Sequence, residues 1–154
     1  MAVTLRGSGQ VPVQIQTTTS TTLFSSSSTS PVDVTGFTVN ITPANANNKI
    51  LVIYNFVGSC ANNSLSIYLN RNGTNIALGS GGTTNSSIAT VPTGNGAYSY
   101  SYASSFLDSP ATTSAVTYKI QANCDAGTFY IGRRATDTLF ASPSTITVME
   151  IAYA

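Results

Sequence analysis

Apolar residues in this chain recur at every second position, in short runs broken by Gly, Pro, Asn and Ser, and never for long at the spacing of a helix. Alternation of this kind is what a strand with one buried face requires, because successive side chains of a strand point to opposite faces. Phe37, Val39 and Ile41 share one face while Thr38 and Asn40 share the other. Leu65, Ile67 and Leu69 alternate in the same way, as do Tyr98, Tyr100 and Tyr102, then Val116, Tyr118 and Ile120. The segment from Ile50 to Val57 is apolar apart from Asn55, and its β-branched content predicts a central strand covered on both faces. In the closing run Ile146 and Val148 face one way and Met149, Ile151 and Tyr153 the other, which suits a strand inside a sandwich or at a subunit interface. Roughly seven to ten short strands with frequent turns predict an all-β fold, an antiparallel β-sandwich or jelly roll.

Turn chemistry sets the register. Asn72-Gly73 is a strong hairpin signal, since both positions of a two-residue loop need positive φ, and it pairs Leu69 with Ile76 and Ile67 with Leu78. Asp108-Ser109-Pro110 supplies another turn. The stretch from Gly79 to Gly96 is mostly Gly, Ser, Thr and Asn, far longer than the usual connection of about 4–6 residues, which predicts a functional or disordered loop. Residues 1–22 hold only the short alternating run Val11, Val13 and Ile15, so they form an N-terminal arm or edge strand ahead of a β-sandwich domain at 23–154.

At 154 residues the chain fits one domain, large enough to bury a core without disulfides or metals. Charged residues make up only 7% of it, where an ordinary soluble domain has about 25%, so the surface is neutral and rich in hydroxyls. A net charge of +1 with no cluster of Lys or Arg leaves no footprint for a phosphate backbone, and nucleic acid is not an expected partner. No apolar stretch approaches the roughly 18 residues of a membrane span, and the N-terminus lacks the apolar stretch of a signal peptide, so cytoplasmic synthesis and no membrane are expected. Cys60 and Cys124 are expected as reduced, buried small hydrophobes.

The chain has no histidine, which removes the usual general base, the usual partner of a nucleophilic Ser or Cys, and the commonest metal ligand. Its five acids, Asp33, Asp108, Asp125, Asp137 and Glu150, form no close local pair, and Asp108 and Asp125 sit where turns favour Asp for backbone hydrogen bonding. A glycosidase-like dyad would have to assemble in space. No catalytic residue, metal ligand or cofactor site is therefore expected, and the protein is expected not to be an enzyme. Arg133-Arg134 beside Asp137 would point to opposite faces of a strand as an ion-paired site. The Tyr98, Tyr100, Tyr102 row suits core or intersubunit packing ahead of glycan binding.

The order GSGQVPVQ, FTVNITPANANNKILVIYNF, SIYLNRNGTNIALG, FLDSPATTSAVTYKIQA and STITVMEIA resembles the small β-sandwich virion proteins of tailed bacteriophages, which occur as stand-alone capsid proteins or as tail-fibre tip domains. The resemblance covers most of the chain, and its most specific pieces are the FLDSPATTS turn and the closing ITVMEI strand. It implies a virion surface protein, a homotrimer with a core in the style of tumour-necrosis-factor or C1q heads, made in the host cytoplasm and without catalytic residues. The leading expectation is a capsid decoration or cement protein bound to the major capsid protein or another virion protein. The alternative is a receptor-binding module of a tail fibre or tail tip contacting host glycan or protein. In either case the expected attachment or oligomer interface is Val11, Val13, Ile15, Tyr98, Tyr100, Tyr102, Met149, Ile151 and Tyr153.

Overall fold

Strands and the turns between them account for every regular element among residues 12–60, 63–82, 85–88 and 98–152, which the computed structural model describes. The strands are β1 (Pro12–Ser20), β2 (Phe24–Ser26), β3 (Val32–Ile41), β4 (Lys49–Cys60), β5 (Leu65–Arg71), β6 (Thr74–Ile76), β7 (Tyr100–Asp108), β8 (Val116–Cys124), β9 (Phe129–Ile131) and β10 (Ser144–Ile151). They build two antiparallel sheets. In the first, β10 and β9 lie end to end along one edge of β4, β1 and β2 lie end to end beyond them, and β7 takes the other edge of β4. The second has the order β3-β8-β5-β6. With each end-to-end pair counted as one interrupted strand, the chain order across the sheets is first-eighth-third-sixth and second-seventh-fourth-fifth. That is the double-sheet jelly roll, so the expected all-β sandwich is the fold.

The core lies where the inward residues of the two sheets meet. Ile50, Val52, Tyr54 and Phe56 of β4, Ile146 and Val148 of β10, and Phe37, Val39 and Ile41 of β3 are buried with Val116, Tyr118 and Ile120 of β8. Each such side chain contributes about 1.5–3 kcal/mol by leaving water. Phe56 stacks on Tyr102 at 5.2 Å between centroids and meets Phe37 edge-on at 5.9 Å. The parity expected for β3, β8 and β10 holds at every described residue.

Several local expectations change. β4 is central in its sheet but covered on one face only: Ile53 and Asn55 are exposed and Leu51 is half-buried. The strand buried on both faces is β5. The Asn72-Gly73 hairpin forms, with φ of 48° and 91°, and Leu69 faces Ile76 as its loop length demands. The ladder stops there, because Ala77 takes a φ of 56°, and Ile67 pairs with Ile88 instead of Leu78. The return through Ser87 and Ile88 closes this edge: both amides donate to the Ile67 carbonyl, and the Ser87 hydroxyl accepts from the Leu69 amide. This is the part of the 79–96 loop that the structure describes, together with residues 79–82 and 85–86.

Residues 12–20 of the segment expected as an arm or edge strand are β1, paired with β10 from Pro12 to Ser20. The boundary at residue 22 falls in the short link between β1 and β2, which lie in the same sheet. Cys60 at the end of β4 and Cys124 at the end of β8 are buried thiols and form no disulfide. Burial, and next the neighbouring Cys124, push the Cys60 thiol up to about 12, so it stays protonated and unreactive. Reducing agent should therefore leave the thermal midpoint unchanged. A structural disulfide would be worth about 2–4 kcal/mol, and a fall of several degrees on reduction, read by calorimetry, would reverse the assignment.

Candidate functional site: the two outer faces

Two carboxylates come together at one end of the core. Glu150 and Asp108 lie on the strands that flank β4, each directly opposite Ile50. Both are buried and taken up by protein donors. Glu150 accepts hydrogen bonds from the Gln14 amide (2.6 Å), the Asn48 amide (2.6 Å) and the backbone N–H of Ala44 (2.7 Å). Asp108 accepts from Arg71 at 2.8 and 2.9 Å and from the Tyr118 hydroxyl at 2.6 Å. Asp108 is thus an inward anchor and not the turn residue its sequence context predicts. The pair ties the Asn-rich 42–48 turn and the β5 end to the sandwich, with its oxygens committed to those ties. Among the described residues, no three His, Cys, Asp or Glu side chains are grouped to hold a metal ion.

The outward faces of the two sheets differ in chemistry. On β3-β8-β5-β6 the outward side chains form a polar ladder. Thr117 donates to Asn40 at 2.7 Å, Lys119 and Gln121 reach Asp33 at 2.6 and 2.7 Å, and Asn70 donates to Asn75 at 2.7 Å. On the other sheet the register sets Ile15 opposite Met149, Met149 opposite Leu51, and Leu51 opposite Leu107, all pointing away from the core. One apolar row therefore crosses β1, β10, β4 and β7. Val13, Ile15, Ile53 and Leu107 on this face are between 41% and 53% exposed. The row of Ile53 adds Thr147 and Thr17, whose hydroxyls bond to each other at 3.0 Å.

A stiff excursion rises at one end of this apolar face. Between β9 and β10 the chain leaves the sheet for residues 132–143 and returns to the same line. Its neck is closed by the Gly132 amide donating to Val57 O (2.7 Å) and the Ser142 amide donating to Gly132 O (2.8 Å). Gly132 has a φ of 84°, and a Cβ there would lie 3.1 Å from the Leu23 side chain and 3.2 Å from Ser142 O, so only glycine fits without strain. Ser59, outward by register, is buried beneath it and donates to Arg133 O at 3.1 Å, while the Arg133 guanidinium sits 4.0 Å over the outward Tyr130 ring. Arg134 grips Asp137 through two bonds of 2.8 and 2.6 Å, and Asp137 also accepts the Leu139 amide. The Arg134 contact, then that amide, pull the Asp137 carboxyl down to about 2. Arg133 and Arg134 are therefore excursion residues and not opposite faces of a strand. At the tip, Leu139 and Phe140 are 72% and 61% exposed.

Of the interface expected from sequence, Val13, Ile15, Met149 and Ile151 are brought together on this face. Tyr102 is not: it is a core residue against Phe56. Tyr100 is exposed at the start of β7, on the opposite side from the outward row, and Tyr98 is exposed ahead of the strand. Val11 and Tyr153 lie outside the described residues. Leu51, Ile53 and Leu107 were missed, although the unbroken apolar run of β4 carried the signal. Leu139 and Phe140 had none, since an isolated apolar pair has no period.

No protein-family model matches the chain, and no curated protein matches it in sequence. Its solved structural neighbours include a mutant VP2 protein of infectious bursal disease virus from derived T=1 particles, at 15% identity and a TM-score of 0.49 over 89% of this chain and 36% of that one. The Gt strain of the same virus gives 16% identity and a TM-score of 0.46 over 93% of this chain and 38% of that one. Another structure of derived T=1 particles gives 12% and 0.47 over 98% and 42%. The chain thus spans well under half of each neighbour, and a likeness this loose says nothing of what it does.

Burial alone would raise the Glu150 carboxyl, but the hydrogen bonds from Asn48, Gln14 and the Ala44 amide outweigh it and hold the group below its ordinary value of 4.5. A depressed folded-state value means that its contribution is complete above about pH 4.5 and is lost as pH falls through the folded value. Glu150→Gln turns an acceptor of these donors partly into a donor. It should cost about 1–3 kcal/mol at neutral pH and flatten the acid side of the stability profile, measured by urea unfolding across pH.

Proposed function

We propose that this protein is a structural component of a bacteriophage virion, a decoration or cement protein on the capsid surface that acts as a homo-oligomer and without catalysis. The observation that carries the reading is the contrast between the outer faces. One is a hydrogen-bonded polar ladder open to water along β3 and β8; the other is an apolar row across four strands with a stiff apolar-tipped excursion at its end. Contiguous exposed apolar surface of this kind marks a packing surface. The sequence resemblance to phage virion β-sandwiches supports the same role, and so does a surface so poor in charge. The two inward carboxylates favour a non-enzymatic role, because their oxygens serve the fold.

The experiment is to locate the protein on purified phage particles by quantitative mass spectrometry and antibody-labelled electron microscopy. Hundreds of copies on the head are expected. A few copies confined to the tail would replace decoration with the receptor-binding reading, and absence from particles would overturn a virion role altogether.

A further inference from the structure

We propose that the apolar outer face of β1, β10, β4 and β7 packs against the same face of a second copy of this chain. The two-fold axis runs across the strands between the row of Leu51 and the row of Ile53. Leu51 of each copy then lies over Ile53 of the other, and the Leu139–Phe140 tip of each excursion sits at the far end of the partner's face, beside Val13 and Ile151. This pairing deepens the assembly reading above and rests on it.

Charge selects the partner. The outward residues of these four strands are apolar side chains, Thr, Ser, Ala and Asn, apart from Lys49 at one end, whose ammonium donates to Ser109 at 2.7 Å. A charged partner surface would bury its ions here against groups that cannot pair with them, at several kcal/mol each. The matching surface must be equally free of charge. A chain with only 7% charged residues, carrying this face itself, supplies one. The excursion does not break the match, since Arg134 is paired with Asp137 and Arg133 donates to the carbonyls of Arg134 and Asp137.

Area and shape select the arrangement. Four strands about 4.8 Å apart and some eight residues long at about 3.3 Å each give a floor of roughly 500 Å². A stable pair usually buries about 800 Å² on each side, so the floor alone falls short. The exposed Leu139 and Phe140 supply most of the difference if they too are covered, since 61% of Phe140, in a residue type that buries about 150–250 Å² in all, is still open. An axis along the strands would bring the two excursions into collision. An axis across the strands places each at the opposite end of the partner, where the exposed Val13 and the half-buried Ile151 lie. Every element of the contact is then used twice, as an isologous interface requires.

Sedimentation of the purified chain at tens of micromolar should give a dimer, twice the 15.9 kDa of the chain. Ile53→Asp, next to the axis, should weaken it roughly a hundredfold or more. The double change Leu139→Ser with Phe140→Ser should also shift it toward monomer, and Thr38→Lys on the polar face should not. All of these positions lie at the surface or half-buried, so an unchanged thermal midpoint shows that the fold is intact. Leu139→Cys combined with Val13→Cys should give an inter-chain disulfide under mild oxidation by a small-molecule disulfide. A monomer or a trimer for the unaltered chain, a dimer indifferent to Ile53→Asp, or absence of that cross-link would overturn the pairing. Copy number on particles is read independently: a trimer found in hundreds on the head sinks only this inference, and a dimer absent from particles sinks only the virion role.

Discussion

The larger sheet is organised around β4, which pairs directly with β10, β9 and β7. Both of its edges are taken along most of its length, by β10 and β9 on one side and β7 on the other, and its alternation fixes which side chains of these neighbours face inward. Because the side-chain period is two, a slip of one residue would exchange Ile50, Val52, Tyr54 and Phe56 for Leu51, Ile53, Asn55 and Val57. Both sets are largely apolar, so hydrophobicity alone discriminates poorly between the registers. The decision falls to what the neighbours bring opposite. Glu150 and Asp108 flank Ile50 and find donors only on the inner side, in Gln14, Asn48, Arg71 and Tyr118. Turned outward they would lose those partners and leave the donors unsatisfied, a penalty of about 1–3 kcal/mol for each buried group.

In a chain so poor in charge, four of the five acids are used for geometry. Asp33 gathers Lys119 and Gln121 on the outer polar face, Asp108 ties β7 to β5 and β8, Glu150 ties β10 to β1 and the 42–48 turn, and Asp137 stiffens the excursion. Each acts as a multiple acceptor that organises a place where the backbone cannot satisfy itself through the ladder. The same economy leaves the outward surfaces neutral, and contacts they make must depend on shape and apolar area more than on ion pairing.

How far the sequence carried this structure can be judged at particular residues. The strands with strict alternation, Phe37 to Ile41, Val116 to Ile120 and Ile146 to Ile151, were legible, since one buried face leaves its imprint on every second position. The hairpin at Asn72-Gly73 was legible for as long as its turn chemistry governed it, up to Ile76. Beyond that, positive φ at Ala77 gave no warning, because Ala has no preference for that region. Run continuity could not say whether β4 was covered on one face or two, since cover comes from elements distant in sequence. The roles of Asp108 and Glu150 were invisible for the same reason: their partners lie from 10 to 136 residues away. At the candidate site, Val13, Ile15, Met149 and Ile151 were found from parity, whereas the excursion, built from Gly132, the Arg134–Asp137 ion pair and the hydrogen bonds of Arg133, has no period to detect.

The edges of the sheets explain why association by a face is the open route. A sheet edge recruits another chain through unpaired backbone groups unless it is short, bulged or interrupted. β1 begins at Pro12, which lacks an N–H, and its register shifts between Pro12 and Gln14. β3 carries a register shift between Asp33 and Thr38, with Gly36 at a φ of 76° inside it. β6 is three residues long, and the return at Ile88 covers the edge of β5 beyond it. Among the described residues no strand pairs with the outer edge of β7, and its outward row, Ser101, Ala103 and Ser105, offers little apolar area before Leu107. A chain that fills its other surface positions so freely with Ser and Thr could have placed them at 15, 51, 53, 107 and 149 as well. Keeping large apolar side chains there costs solubility to an isolated subunit. That cost is offset only where the face is covered, and with three edges blunted the cover must come down onto the sheet from above.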